Sequence, residues 1–204
     1  MCLRNKWHRC LRRRRLRRMP RVSRHSRMKI PNRVSIHERP QPINDRQVFG
    51  HWEGDLMLFG RSGKVNLITL RERISRLMIA ICNPSKQAKT TADKIIKALE
   101  DKKAWVNSLT FDNGLEFSAH ETIASHLEAR TYFCDPYKSY QKGAIENGNK
   151  QIRVDLPRDT AVERINQKRV NYLVNRLNNR PMKCLGYETP LEVFESYTRR
   201  QLSG

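Results

Sequence analysis

Acidic residues are scarce in this chain. Its 204 residues include 20 Asp and Glu against 41 Lys and Arg, a formal net charge of +21. That balance asks for a polyanionic partner. Nucleic acid fits it better than a membrane surface, because no amphipathic apolar face accompanies the arginines. Cysteines are few and badly placed for pairing: Cys2, Cys10, Cys82, Cys134 and Cys184 are odd in number and never spaced as Cys-x-x-Cys. This argues against a disulfide framework or a structural zinc site and favours a reducing compartment. Cys2, His8 and Cys10 have no second ligand pair to complete a metal knuckle. No run of about 18 apolar residues supplies a membrane-spanning helix, and the N-terminus lacks the apolar core of a secretory signal. Its Arg-rich, acid-poor character suits an organellar transit peptide or a nucleic-acid arm equally well.

The positive charge is unevenly spread. Residues 1–50 hold 16 Lys and Arg against Glu38 and Asp45, whereas the rest of the chain holds 25 against 18. Residues 1–30, with Arg12, Arg13, Arg14, Arg15, Arg17 and Arg18, have too few apolar side chains for a core and read as a disordered basic arm. Residues 31–48 contain three prolines and read as an extended linker. The folded domain is expected over residues 49–198.

Within it, His51–Phe59, Lys64–Leu70 and Leu77–Ile81 are apolar or alternating runs of strand length, the first two separated by the turn signal Gly60-Arg61-Ser62-Gly63. Ala92, Ile95, Ile96 and Leu99 recur at helical spacing behind a Thr90 or Thr91 cap. Val106–Phe111 is a fourth strand, Glu116–Glu128 a helix and Arg130–Cys134 a fifth strand. A helix is expected from about Ile145 to before Pro157, and another over Glu163–Asn178, with a helical tail behind it. The order predicts an α/β fold with a mixed five-stranded sheet flanked by helices.

Three carboxylates stand out. Asp55 interrupts an apolar strand, where aspartate is disfavoured and, if buried, must be paired or metal-bound. Asp112 closes the fourth strand, and sites in α/β sheets gather at the carboxyl ends of strands; alone, Asp112-Asn113-Gly114 is also an ordinary turn. Glu146 opens a helix, where the dipole favours any acid. If the three converge, they suit a hard cation such as Mg²⁺, which takes oxygen ligands. Two such ions can stabilise the attacking and leaving oxygens of a phosphodiester displacement.

The motifs extend beyond these three residues. Lys29-Ile30-Pro31-Asn32-Arg33-Val34-Ser35-Ile36, Gly50-His51-Trp52-Glu53-Gly54-Asp55 and Thr110-Phe111-Asp112-Asn113-Gly114-Leu115-Glu116-Phe117 come first. Tyr132-Phe133-Cys134-Asp135-Pro136-Tyr137, Gln141-Lys142-Gly143-Ala144-Ile145-Glu146-Asn147 and Leu177-Asn178-Asn179-Arg180-Pro181-Met182 follow, with Thr189-Pro190-Leu191-Glu192 near the end. In these, residues from about Lys29 to Phe194 resemble the catalytic region of bacterial transposases of the insertion-sequence-thirty type, in the DDE transposase and retroviral integrase superfamily. The 33 residues between Asp112 and Glu146 match that family's late spacing.

The resemblance implies an RNase H-like fold and two Mg²⁺ ions, with Mn²⁺ able to substitute, held by Asp55, Asp112 and Glu146. It implies metal-dependent cleavage and strand transfer on DNA, both element ends and target, by a homo-oligomer assembled on DNA in the bacterial cytoplasm and associated with the nucleoid. His51 departs from the family, which usually carries an acid there. The family's usual leading helix-turn-helix has no counterpart in these motifs, so the chain reads as an N-terminally truncated copy.

On the expected helix, Glu146, Asn149, Lys150 and Arg153 share one face. Asn149, Lys150, Arg153 and Lys142, four residues before Glu146, are expected to contact DNA phosphates. Glu116 is the substitute ligand should Glu146 fail. Glu53 and Asp135 read as structural, Trp52 as core or as a shield for the site, and Tyr137 and Tyr140 as stacking or packing aromatics. Two rivals stand beside the transposase: a hydrolytic nuclease on the same fold, and an inactive DNA-binding remnant.

Overall fold

The computed structural model describes residues 30–60, 65–136 and 138–202. The arm with Arg12 to Arg18, most of the turn after Gly60, Tyr137 and the side chain of Tyr140 lie outside the described residues. In chain order the main elements are a helical turn α1 (Gln41–Asn44), then strands β1 (His51–Leu58), β2 (Asn66–Glu72) and β3 (Met78–Asn83). Helix α2 (Ala88–Leu99), β4 (Ser108–Phe111), α3 (His120–Leu127) and β5 (Arg130–Phe133) follow. Helices α4 (Gly143–Asp155), α5 (Gln167–Asn178) and α6 (Pro190–Leu202) complete the fold.

The five strands form one mixed sheet in the order β3-β2-β1-β4-β5. β1 is antiparallel to β2 and parallel to β4, and β4 is parallel to β5. Side chains alternate across each strand, so the central strands have two faces to bury. Trp52 of β1 and Ile68 and Leu70 of β2 enter one apolar cluster, joined by Ile95 and Leu99 of α2, Ile123 and Leu127 of α3 and Phe194 of α6. Met57 and Leu67 enter the other, against Ile145 and Ile152 of α4 and Val170 and Leu173 of α5. Each large side chain fully removed from water contributes about 1.5–3 kcal/mol, so both faces of the sheet must be covered by helices. The α/β expectation and the strand number agree with this architecture.

Several local expectations give way to packing. Helix α2 starts at Ala88, ahead of both threonines, and Thr91 is buried, accepting a bond from Asn83 Nδ2 at 3.3 Å. The run 116–128 splits into a 3-10 turn over Leu115–Phe117 and the shorter α3, because Phe117 stacks on Phe111 with ring centroids 4.5 Å apart. Helix α5 starts at Gln167, where Asn166 caps it by accepting from Arg169 N–H, leaving a separate 3-10 turn over Val162–Arg164.

Residues 31–48, expected as an extended linker, dock on the sheet together with Ile30. Ile30, Ile36 and Ile43 are buried. Phe133 N–H donates to Val34 O at 2.9 Å, and Ser35 and Glu38 form a capping box around the 3-10 turn Ile36–Glu38. Arg39 is buried and donates to Thr110 Oγ1 at 3.0 Å, tying this segment to β4.

Candidate active site

Parallel pairing of β1 and β4 aligns their carboxyl ends. Glu53 stands opposite Thr110, and Asp55 and Asp112 each lie two residues farther along. Close approach of the strands is set by Gly54, where a Cβ would sit 2.5 Å from Phe111 Cε1. Behind Asp112 the chain turns: Asp112 Oδ1 accepts from Gly114 N–H at 3.0 Å, an Asx turn. The other oxygen, Oδ2, lies 3.5 Å from Lys142 Nζ.

Helix α4 runs along β1 on the face that carries Glu53 and Asp55. Ile145 N–H donates to Glu53 Oε2 at 2.9 Å, Asn149 Nδ2 donates to Asp55 Oδ2 at 2.7 Å, and Arg153 Nη2 donates to Leu58 O at 2.9 Å. The spacing has a simple cause: four helical residues rise about 6 Å and two strand residues about 6.7 Å. Gly148 lets the helix lie close, since a Cβ there would meet Arg71 Nη1 and Met78 Sδ at 2.9 Å. Glu53, wholly buried, also pairs with Arg73, whose Nη2 donates to Ile43 O and Asn44 O. Glu53 therefore sets the start of α4, in keeping with a structural role. Trp52 is a core residue, with Nε1 donating to Trp105 O at 3.1 Å.

Lys142, immediately before α4, is buried and turned toward the carboxylates. Its Nζ lies 2.9 Å from Asp55 Oδ1 and 3.5 Å from Asp112 Oδ2, and 3.2 Å from Gly54 O. Burial acts to lower its pKa, but Asp55 and then Asp112 outweigh it and raise the pKa above the ordinary lysine value. Asp55 is mostly covered and Asp112 is open to solvent, at 24% and 44% side-chain exposure.

The other expected residues divide. Glu146 is half-buried in the first turn of α4, one turn before Asn149. Lys150 is exposed. Arg153 lies over the Phe59 ring, 4.3 Å from its centroid, and its bonds go to main-chain oxygens. Of the face expected to meet DNA, Lys142 and Asn149 thus point at Asp55 and Arg153 at the end of β1. Glu116 folds back beside Gly114, where a Cβ would meet its Cδ at 2.5 Å. Burial raises its pKa, its own main-chain bond opposes that, and Asp112 adds to the rise.

Among the described residues, no group of three or more His, Cys, Asp or Glu stands close enough to hold a metal ion. Asp55 and Asp112 converge as a pair on one cation, and Glu146 is not gathered with them. The donors nevertheless suit a hard cation. Both carboxylates address a single positive nitrogen, and beside them Asn149 Oδ1 is buried without a protein hydrogen-bond partner. Carboxylate and amide oxygens are the ligands such ions take. Sequence reasoning missed Asn149 as a partner of Asp55; its place one turn beyond Glu146 was the available signal.

Residues 45–139 match the integrase core domain family. That stretch holds β1 to β5 and is what this chain shares with the family. It is 40% identical over 167 residues to the transposase for insertion sequence element IS4351 of Bacteroides fragilis, covering 81% of this chain and 51% of that protein. It is 35% identical over 172 residues to the transposase InsI for insertion sequence element IS30A of Escherichia coli, covering 81% and 43%. The chain thus spans about half the length of the curated relatives it matches. The catalytic core domain of BIV integrase superposes with a TM-score of 0.61 at 21% identity, covering 76% of this chain and 99% of that one. This establishes the RNase H-like fold of retroviral integrase cores. The resemblance to transposases of the insertion-sequence-thirty type is confirmed.

Proposed function

We propose that the integrase core domain acts as a DDE-type transposase, catalysing metal-dependent DNA cleavage and strand transfer of an insertion sequence. The observation that carries this reading is the convergence of Asp55 and Asp112 on one cation at the carboxyl edge of two parallel strands. Asp55 and Asp112 are assigned as metal ligands, and Glu146, which stands apart from them in this structure, is assigned as the third ligand and would have to move toward them. Divalent ions held by these carboxylates, two Mg²⁺ or Mn²⁺ in their place, would supply Lewis-acid charge stabilisation for the phosphodiester displacement.

The chain's own groups do the positioning. Asn149 orients Asp55 through its 2.7 Å bond, and Lys142 balances the carboxylates before metal arrives. Lys150 faces solvent and is assigned to a DNA phosphate. Lys142 and Arg153 reach DNA only if they leave their present partners. The arginines Arg12, Arg13, Arg14, Arg15, Arg17 and Arg18, outside the described residues, are assigned to sequence-independent phosphate binding. Water first attacks the phosphodiester at the element's end, and the broken P–O3′ bond leaves a 3′-hydroxyl. That hydroxyl then attacks a target phosphodiester, and the target's 3′ oxygen departs. No protein nucleophile is needed; the site acts through orientation and charge. Element ends and target DNA are the partners, a homo-oligomer on DNA the working form, and the bacterial cytoplasm, at the nucleoid, the setting.

A strand-transfer assay with Mg²⁺ and labelled element ends tests this. Joined products that vanish in Asp112→Asn support the transposase. Cleavage without joining favours the hydrolytic nuclease, and binding without either reaction favours the inactive remnant.

A further inference from the structure

A second cationic feature lies on another flank of α4. A cleft of about 450 Å³ is lined by Arg46, Arg71, Arg76, Arg180, Lys183 and Cys184, with no Asp or Glu among its lining residues. Ala144, Asn147 and Gln151 of α4 also face it. At 3.6 residues per turn these lie well over a quarter-turn from Asn149 and Arg153, which face Asp55 and Leu58. The cleft is therefore separate from the carboxylate site, although one helix borders both.

Its arginines come from three distant segments and are held there at a cost. Arg71 is buried and joins two walls, donating from Nη1 to Ala144 O at 2.8 Å and from Nε to Arg76 O at 3.1 Å. Arg46 and Arg76 both hold positive φ, at 58° and 65°, a conformation non-glycine residues keep only where surrounding structure imposes it. Arg76 is half-buried, and burial followed by the charge of Arg46 lowers its pKa. The cluster is thus a real concentration of like charge, which an anion would relieve. Among the described residues, the side chains of Arg46, Arg180 and Lys183 make no hydrogen bond or ion pair and are exposed.

We infer that this cleft binds phosphate groups of a DNA strand, at a position distinct from the phosphodiester that reacts at Asp55 and Asp112. Arginine forks match phosphate geometry, and the cleft has the volume of an ordinary ligand site. The inference rests on DNA being the substrate of the proposed function, but not on catalysis.

Cys184, exposed in the cleft, gives a direct readout. Alkylation of Cys184 by N-ethylmaleimide in the full chain is followed by peptide mass spectrometry, with duplex DNA, with inorganic phosphate, or with neither. Duplex DNA should slow Cys184 labelling at least tenfold at concentrations where inorganic phosphate does not. Arg46→Ala with Arg180→Ala should abolish protection and flatten log affinity against log salt by about 2 units, at about 0.9 per phosphate contact. Asp112→Asn should keep protection while losing cleavage, so a failed catalytic assignment and a failed cleft are told apart. Equal protection by inorganic phosphate makes the cleft a free-anion site and overturns the proposal. So does labelling that DNA leaves unchanged, or a slope that survives the double substitution.

Discussion

The Lys142 ammonium donates to Asp55 Oδ1 at 2.9 Å, with Asp112 Oδ2 a further neighbour at 3.5 Å. One buried side chain thus holds a positive charge between two carboxylates that would otherwise repel. A divalent cation bound by the same oxygens must compete with it.

That competition gives the first prediction. Lys142→Met keeps the bulk of the side chain and removes its charge. Losing one partner of a buried ion pair costs about 3–5 kcal/mol, which solvent at Asp112 reduces to about 2 kcal/mol. For a chain of this size, the melting temperature without metal should fall by about 4–8 °C. Added Mg²⁺ should restore most of the loss by linkage, and apparent metal affinity should rise. Thermal unfolding with and without Mg²⁺ checks both; an unchanged metal-free midpoint would show that the Lys142 contact is idle.

Glu53→Gln should be more damaging than any substitution of Asp112. It leaves Arg73 charged in a buried site and weakens the bond that fixes the start of α4. The expected loss is about 3–5 kcal/mol, measured by urea denaturation. A loss below about 1 kcal/mol would mean that α4 is placed by its apolar face alone.

His51 should govern part of the acid stability. Burial, then Arg73 and Arg39, lowers its pKa to about 4, and its Nδ1 lies 2.7 Å from Ser108 Oγ. Since the folded pKa lies below the unfolded value of about 6.5, the unfolded chain binds more protons between them. Stability from this group is therefore full above about pH 6.5 and declines as pH falls toward 4, by up to about 3 kcal/mol. Glu72 and Glu116, whose pKa values are raised by burial, work in the opposite sense as pH falls. The comparison is therefore between wild type and His51→Asn, whose stability difference should shrink from pH 7 to pH 4. A constant difference would mean that His51 is not held neutral.

Much of this was legible in the sequence because it depends on local pattern. Five strands and their order followed from apolar runs and turns, and Asp55 was conspicuous as an acid within one of them. Whether a polar side chain turns inward is a tertiary matter. A helical face at Glu146, Asn149, Lys150 and Arg153 looks uniformly solvent-facing in sequence, yet contacts with β1 draw two of the four inward. Lys142 precedes the helix, and its direction depends on carboxylates 30 and 87 residues away. Residues 31–48 looked extended because prolines dominate the pattern, while the contacts of Arg39 and Val34 depend on β4 and β5 being already in place. The arginine cleft unites residues as distant as Arg46 and Arg180, and no spacing rule reveals that.

The central claim is that Asp55 and Asp112 hold a divalent cation, with Glu146 completing the set. Mn²⁺ binding to the full chain, followed by electron paramagnetic resonance without DNA, tests it most directly. The account predicts saturable binding that weakens at least tenfold in Asp55→Asn and in Asp112→Asn, and less steeply in Glu146→Gln. Mn²⁺ affinity undiminished by either aspartate substitution would contradict it.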